Sequence, residues 1–216
     1  MSKEFIKQLE ELEDDVLNMG RLSKDTIKLS VKALINQDPS LAKQIFEMED
    51  KINGMELMIE NKCMKLLALQ QPMAKDLRMI GTCMKIITDL DRVSDLSADI
   101  ADIAIKTSNE PFVKPLIDIP RMAEIVESML DDSLTAFKNK DTELAMEMGK
   151  RDDVVDALYD QIRRELITFM IEDPRKIANA SHLSFVARYL ERIGDHACNI
   201  AGRVVYMVTG KRVKIE

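Results

Sequence analysis

A chain of 216 residues is long enough for one or two domains with a sizeable core, and a hydrophobic content of 46% is ordinary for a globular protein. The formal charge of −7 argues against general nucleic-acid binding, which draws its affinity from Lys and Arg on phosphates. Aromatic content of 4% without Trp requires an aliphatic core, in which the fifteen Met act mainly as gap-fillers beside Leu, Ile and Val.

In chain order, the opening Met1 to Leu12 is charged throughout and does not read as a signal peptide. Six long segments of helical period follow, at about 3–36, 39–69, 74–107, 119–139, 142–171 and 176–209. Pro39, Pro72, Pro111, Pro115, Pro120 and Pro174 fall between these segments, where proline opens a helix rather than breaking one. No run alternates apolar and polar residues between turn dipeptides, so strands are not expected. Thr107 to Pro115 is the best linker and divides the chain into 1–109 and 110–216. The basic tail, Lys211, Arg212 and Lys214, reads as a solvated terminus in preference to a contact for an anionic surface. No stretch approaches the roughly 18 uninterrupted apolar residues of a membrane span. Cys63, Cys83 and Cys198 are scattered and odd in number, which fits free thiols in a reducing compartment. The expected location is the cytoplasm.

The two halves repeat. Asp38-Pro39-Ser40-Leu41-Ala42 answers to Asp141-Thr142-Glu143-Leu144-Ala145, the Pro72 turn to the Pro174 turn, and Asp91-Arg92-Val93-Ser94-Asp95 to Glu191-Arg192-Ile193-Gly194-Asp195. Before Asp38 the correspondence weakens to a shared apolar pattern, with Met19 on Met122 and Leu34 on Phe137. The unit is three helices of roughly 100 residues, present twice. Short connections favour antiparallel neighbours. The fold class is therefore all-α, two tandem pseudo-symmetric three-helix bundles.

Each copy carries an organised set of acids. With successive helical residues advancing by about 100°, and Asp91 at zero, Asp95, Asp99 and Asp102 fall at about 40°, 80° and 20°. Ile86, Val93, Leu96 and Ile100 fall at about 120° to 220°, on the opposite face. Glu191, Asp195 and Asn199 repeat the arrangement against Val186, Ile193 and Ile200. The hairpin turns add a second constraint. Asn53 and Asp91 are equally far from residue 72, as are Glu49 and Asp95. In the second copy Asp156 is level with Glu191, and Asp152 with Asp195. Each hairpin thus gathers four carboxylate or amide groups at one height, while helix rotation leaves open whether the two faces meet. Like charges this close are costly without a positive partner. A bound cation would provide one, and all-oxygen ligation suits Mg²⁺, Mn²⁺, Ca²⁺ or iron. The competing reading is a solvated face neutralised by Arg92 and Arg192.

His182 and His196 are the only histidines, and His196 points away from the acidic face at about 140°, as a structural rather than a ligating residue. Glu-x-x-His, Gly-rich phosphate loops, Cys-His pairs and Gly-x-Ser-x-Gly are all missing, so no constellation looks catalytic.

The run from Tyr189 through Glu191-Arg192-Ile193-Gly194-Asp195-His196-Ala197 to Ala201 resembles the signature of the PhoU family of bacterial phosphate-transport regulators. Asp76-Leu77-Arg78 followed by Asp89-Leu90-Asp91-Arg92-Val93-Ser94-Asp95 is similar to its first-repeat counterpart, and the resemblance spans essentially the whole chain. It implies a non-enzymatic protein, often dimeric, that represses phosphate-starvation signalling and limits uptake. Such a protein links the phosphate ABC transporter to a membrane sensor histidine kinase and reaches the membrane through these partners. It also implies metal ions (iron, manganese, zinc or magnesium) on Glu49, Asn53, Asp91 and Asp95 in the first bundle. In the second the ligands would be Asp152, Asp156, Glu191 and Asp195, with Asp99 and Asn199 as outer candidates. Asn53 departs from the family's Asp, and Asp91 is one methylene shorter than Glu191, so the first site is expected to bind metal more weakly. Two other classes remain: a carboxylate-ligated metal-dependent helical enzyme or metal store, and a scaffold with solvated acidic faces.

Overall fold

The computed structural model describes residues 3–215. The described residues form seven α-helices: α1 (Lys3–Asn36), α2 (Pro39–Gln70), α3 (Ala74–Lys106), α4 (Asp118–Asn139), α5 (Thr142–Met146), α6 (Met148–Glu172) and α7 (Ile177–Thr209). A single 3₁₀ turn, Pro174–Lys176, precedes α7, and no strand occurs among the described residues. The expected fifth helix, 142–171, is therefore broken. The Glu147 N–H is shared at 3.3 Å between the carbonyls of Glu143 and Leu144, which tightens the turn and separates α5 from α6.

The repeat extends to the backbone. Asp38 caps α2 by accepting from the Ser40 and Leu41 N–H groups, and Asp141 caps α5 through Glu143 and Leu144. Just before each cap a non-glycine residue takes the left-handed conformation: Gln37 at φ 49° and Lys140 at φ 57°. In both turns the Asp N–H reaches back to a helix carbonyl, Ala33 at 2.9 Å and Ala136 at 3.0 Å, closing the same Schellman-type end.

Helices α1, α2 and α3 pack as one bundle and α4, α6 and α7 as the other, joined by α3 against α7 and α1 against α4. Arg78 Nε donates to the Met207 carbonyl, and Asp89 pairs with His196, so α3 and α7 cross antiparallel. Lys24 with Asp131, and Gly20 beneath Leu134, show that α1 and α4 are antiparallel as well. These four helices form the inner layer, with α2 and α6 on the outside. One hydrophobic cluster runs through both bundles. The apolar stripes read from sequence lie in it. Ile86, Val93 and Ile100 on α3, and Val186, Ile193 and Ile200 on α7, are fully buried, each contributing about 1.5–3 kcal/mol relative to exposure.

Methionine divides between two roles. Met19, Met122, Met129, Met148 and Met207 are core, whereas Met58, Met64, Met73 and Met146 are exposed. All three cysteines are buried free thiols. Between the bundles, buried Asn179 anchors the linker by accepting from the Val113 N–H and donating to the Pro111 carbonyl.

Candidate functional site

Each acidic set is built from one outer and one inner helix. In the first bundle Glu49 comes from α2, and Asp91, Asp95 and Asp99 from successive turns of α3. The two arms face each other. Burial holds the Glu49 carboxyl above its usual range, and the Asp95 charge is the next cause, with Asp50, Asp91 and Asp99 adding to it. Burial and then Asp95 also raise Asp91 and Asp99. Asp91 Oδ1 is buried with no hydrogen-bond partner. Arg92 Nη1 donates to Asp95 Oδ2 at 2.6 Å. Asn53, expected among the ligands, stays exposed.

The second bundle draws its acids further in. Asp152 on α6 is only 8% exposed. Burial first, and the charges of Asp195 and Asp156 next, push its carboxyl up to about 6. Its Oδ1 has no partner. Gly194 explains how it fits, since a Cβ there would stand 3.1 Å from this oxygen. The first copy has Ser94 at that position, buried with its own Oγ unpartnered. Glu191 is raised by burial and then by Asp195, against the opposing charge of Arg188. Arg188 Nη1 donates to Glu191 Oε1 while Oε2 is left buried and unpartnered. Asp195 is raised by burial and then by Asp156, which is exposed. Cys198 lies against Asp152, and burial followed by that charge pushes its thiol up to about 12.

Two outer candidates behave differently. Asp99 shares the first acidic face. Asn199 instead donates across the bundle boundary to Asp89 Oδ1 at 3.4 Å, where His196 Nδ1 also sits, 2.9 Å away. His196 is thus a bridge between bundles and not a ligand of its neighbour's face. The arginine reading is half corrected: Arg92 does bind Asp95, but in the second copy Arg188 does the pairing, while the Arg192 charge acts on Asp99 of the other bundle as well as on Asp195.

The sequence reading missed Glu56 and Tyr159. Glu56 bonds to Thr88 and feels the Asp91 charge, and Arg188 stacks over the Tyr159 ring at 5.8 Å. Both pairs are level about their hairpin turns, so the spacing that matched Glu49 with Asp95 would have found them.

The donor set fits a hard cation. Five buried side-chain oxygens lack a partner among the described residues, and Asp91, Asp152, Glu191 and Ser94 supply four of them. An orphaned buried oxygen calls for an explanation, and a bound ion is one. No three His, Cys, Asp or Glu side chains of the described residues converge as a ready-made coordination group. The arginine pairs on Asp95 and Glu191 are what an incoming cation would compete with.

An all-helical double repeat with matched acidic hairpins defines a class of helical repeat protein, and comparison with known proteins gives the class its name. The PhoU domain model matches residues 16–104 and 119–204. The chain is 44% identical to the phosphate-specific transport system accessory protein PhoU homolog of Aquifex aeolicus over 97% of its own length and 95% of the relative's. Identity to the homolog of Clostridium acetobutylicum is 40%, over 99% and 98%. The crystal structure of PhoU from Pseudomonas aeruginosa superposes with a TM-score of 0.92 at 38% identity, covering 96% of this chain and all of that one. That of the phosphate transport system regulatory protein PhoU from Streptococcus pneumoniae gives 0.90 at 31%, over 97% and 99%. The chain belongs to the PhoU family, whose named members are accessory and regulatory proteins rather than enzymes. No helix among the described residues is long and apolar enough to cross a membrane.

Proposed function

We propose that this protein is a non-enzymatic accessory regulator of phosphate transport. It restrains phosphate uptake and phosphate-starvation signalling by linking the phosphate ABC transporter to a membrane sensor histidine kinase. It acts in the cytoplasm as a homodimer, reaching the membrane through its partners, and its acidic faces bind metal. The observation that carries the reading is full-length membership of a family whose relatives are named for this system, at 44% and 40% identity.

The cation part rests on the orphaned oxygens of Asp91, Asp152 and Glu191. Glu49, Asp91 and Asp95 would hold a cation in the first bundle, with Asn53 and Asp99 at its edge. Asp152, Asp156, Glu191 and Asp195 would hold one in the second. Iron, manganese, zinc and magnesium all suit such oxygens. When bound, the metal supplies the positive charge that the carboxylates lack. The chain's own groups then do the rest: each hairpin clasps its outer helix to an inner one, and Arg92 and Arg188 take over when no cation is present.

Deleting the gene should raise transcription of phosphate-starvation genes in cells grown on abundant phosphate. Unchanged transcription and unchanged phosphate uptake in the deletion strain would refute the regulatory reading.

A further inference from the structure

Helix α2 is apolar on two faces. Ile45, Ile52, Ile59, Cys63 and Leu66 turn into the bundle and are buried. About 160° away around the helix stand Gly54, Leu57, Asn61, Met64 and Ala68. All five are exposed, Leu57 at 61% and Met64 at 53%. Among the described helices α2 packs only on α1 and α3, so no other helix covers this outer face. A Cβ on Gly54 would meet no atom within 4 Å. Nothing inside the chain therefore calls for a glycine there, although glycine weakens a helix interior relative to alanine. The second copy lacks the stripe. Ile52 corresponds to Val155 and Ile59 to Ile162, and at the same offset Leu57 and Asn61 fall on the charged, exposed Asp160 and Arg164.

The outer stripe advances by alternating steps of three and four residues, the spacing of a coiled-coil seam. Gly54, Asn61 and Ala68 take the a positions, and Leu57 and Met64 the d positions. The buried Ile52, Ile59 and Leu66 fall at f, on the side away from the seam. Glu60 at g and Lys65 at e flank the seam, and both are exposed. In a parallel, in-register pair of such helices, a g residue meets the e residue five positions on in the partner. Glu60 then faces the partner's Lys65, and the two-fold axis makes the pair twice. An antiparallel pair centred on Asn61 would instead bring Glu60 towards the partner's Glu60. A single Asn at an a position fixes register in the same way, at some cost in affinity. The seam is thus complementary to itself, as an interface between identical chains must be. Helix α2 is already held by its bundle, so pairing carries no cost of forming the helix. We propose that the outer face of α2 docks a second copy of this chain, with the two α2 helices parallel and in register across a two-fold axis. This gives the homodimer put forward above its surface and rests on that part of the reading.

Sedimentation velocity of the metal-free full chain, over roughly 1–100 μM, reads the pairing. The seam covers about two heptads, a small interface, so the wild type should pass from monomer to dimer within this range. Leu57→Lys/Met64→Lys, at positions outside the core, should remain monomeric throughout. Glu60→Lys should weaken the dimer roughly tenfold, and Glu60→Lys/Lys65→Glu should recover it by restoring opposite charges across the seam. Gly54→Cys should give a disulfide-linked dimer when its two thiols are oxidised by glutathione disulfide, because like a positions meet in a parallel pair. A monomeric wild type would overturn both this surface and the homodimer. A dimer that Leu57→Lys/Met64→Lys leaves intact would overturn the surface and keep the homodimer. No recovery in the charge-swapped variant, or no link through Gly54→Cys, would overturn the parallel register. Recovery by the charge swap cannot come from a misfolded chain, so the answer stands even where one variant fails to fold.

Discussion

Asp152 carries the sharpest electrostatic consequence of the fold. Its ordinary value is 3.8 and its value in the folded chain about 6, so the folded state binds the proton more tightly than the unfolded one. The sign follows: stability falls as pH rises from about 4 to about 6, and above that the full penalty of the buried charge is present. Glu49, Asp91, Asp99, Glu191 and Asp195 are raised too and act in the same direction. Asp152→Asn removes the charge and keeps the shape. At pH 7.5 the metal-free variant should be more stable than wild type by about 1–2 kcal/mol, or about 2–8 °C in melting temperature, and the difference should vanish below pH 4. Thermal melts across pH decide this, and a variant less stable than wild type at pH 7.5 would show that Asp152 forms a favourable contact. Added Mn²⁺ should stabilise the wild type more at pH 7.5 than at pH 5, where protons hold the carboxylates. The residues themselves were largely legible: helical period and distance from the turn placed Glu49, Asp95, Asp152 and Asp195 level before any coordinates. What stayed hidden was rotamer choice. Arg188 pairs with Glu191 three residues on, a contact helical spacing allows but does not single out over Arg192, whose charge acts on Asp99 of the other bundle, a proximity no single-helix rule encodes.

At the scale of elements, the repeat was readable because its punctuation is chemical. Asp38 and Asp141 are capping residues, and Pro39, Pro72 and Pro174 mark helix starts and turns. The break at Glu147 was not readable. The local sequence has no proline there, and Asp141-Thr142-Glu143 reads as the start of one long helix; the break comes from a shared N–H. The left-handed turns offer a clean test. Lys140 at φ 57° carries a Cβ where glycine is preferred, and its side chain makes only a long ion pair with Glu13, at 4.0 Å. Lys140→Gly should stabilise the protein by about 0.5–1 kcal/mol in urea denaturation. Gln37→Gly, at the equivalent turn, should gain less or lose stability, because Gln37 Nε2 donates to the Thr107 and Glu110 carbonyls. Equal gains at both turns would show that those side-chain bonds contribute nothing.

For the whole molecule, the two acidic hairpins are related by the repeat and are not equivalent. The first has an exposed Asn53, the shorter Asp91 and an arginine on Asp95. The second buries Asp152, whose Oδ1 sits against Gly194 where the first copy has Ser94. Mn²⁺ should therefore bind the second more tightly. Titrating Asp95→Ala, which keeps the second site, should give a tighter residual affinity than Asp195→Ala, which keeps the first; equal affinities would contradict the asymmetry. The central claim is that these faces are metal sites in a protein that regulates rather than catalyses. Metal content by mass spectrometry, on protein purified without an affinity tag or chelator and beside an Asp95→Ala/Asp195→Ala variant, tests it most directly. The account predicts stoichiometric iron, manganese or zinc in the wild type and its loss in the variant. No metal in either protein would contradict it and return the carboxylates to the role of a solvated acidic surface.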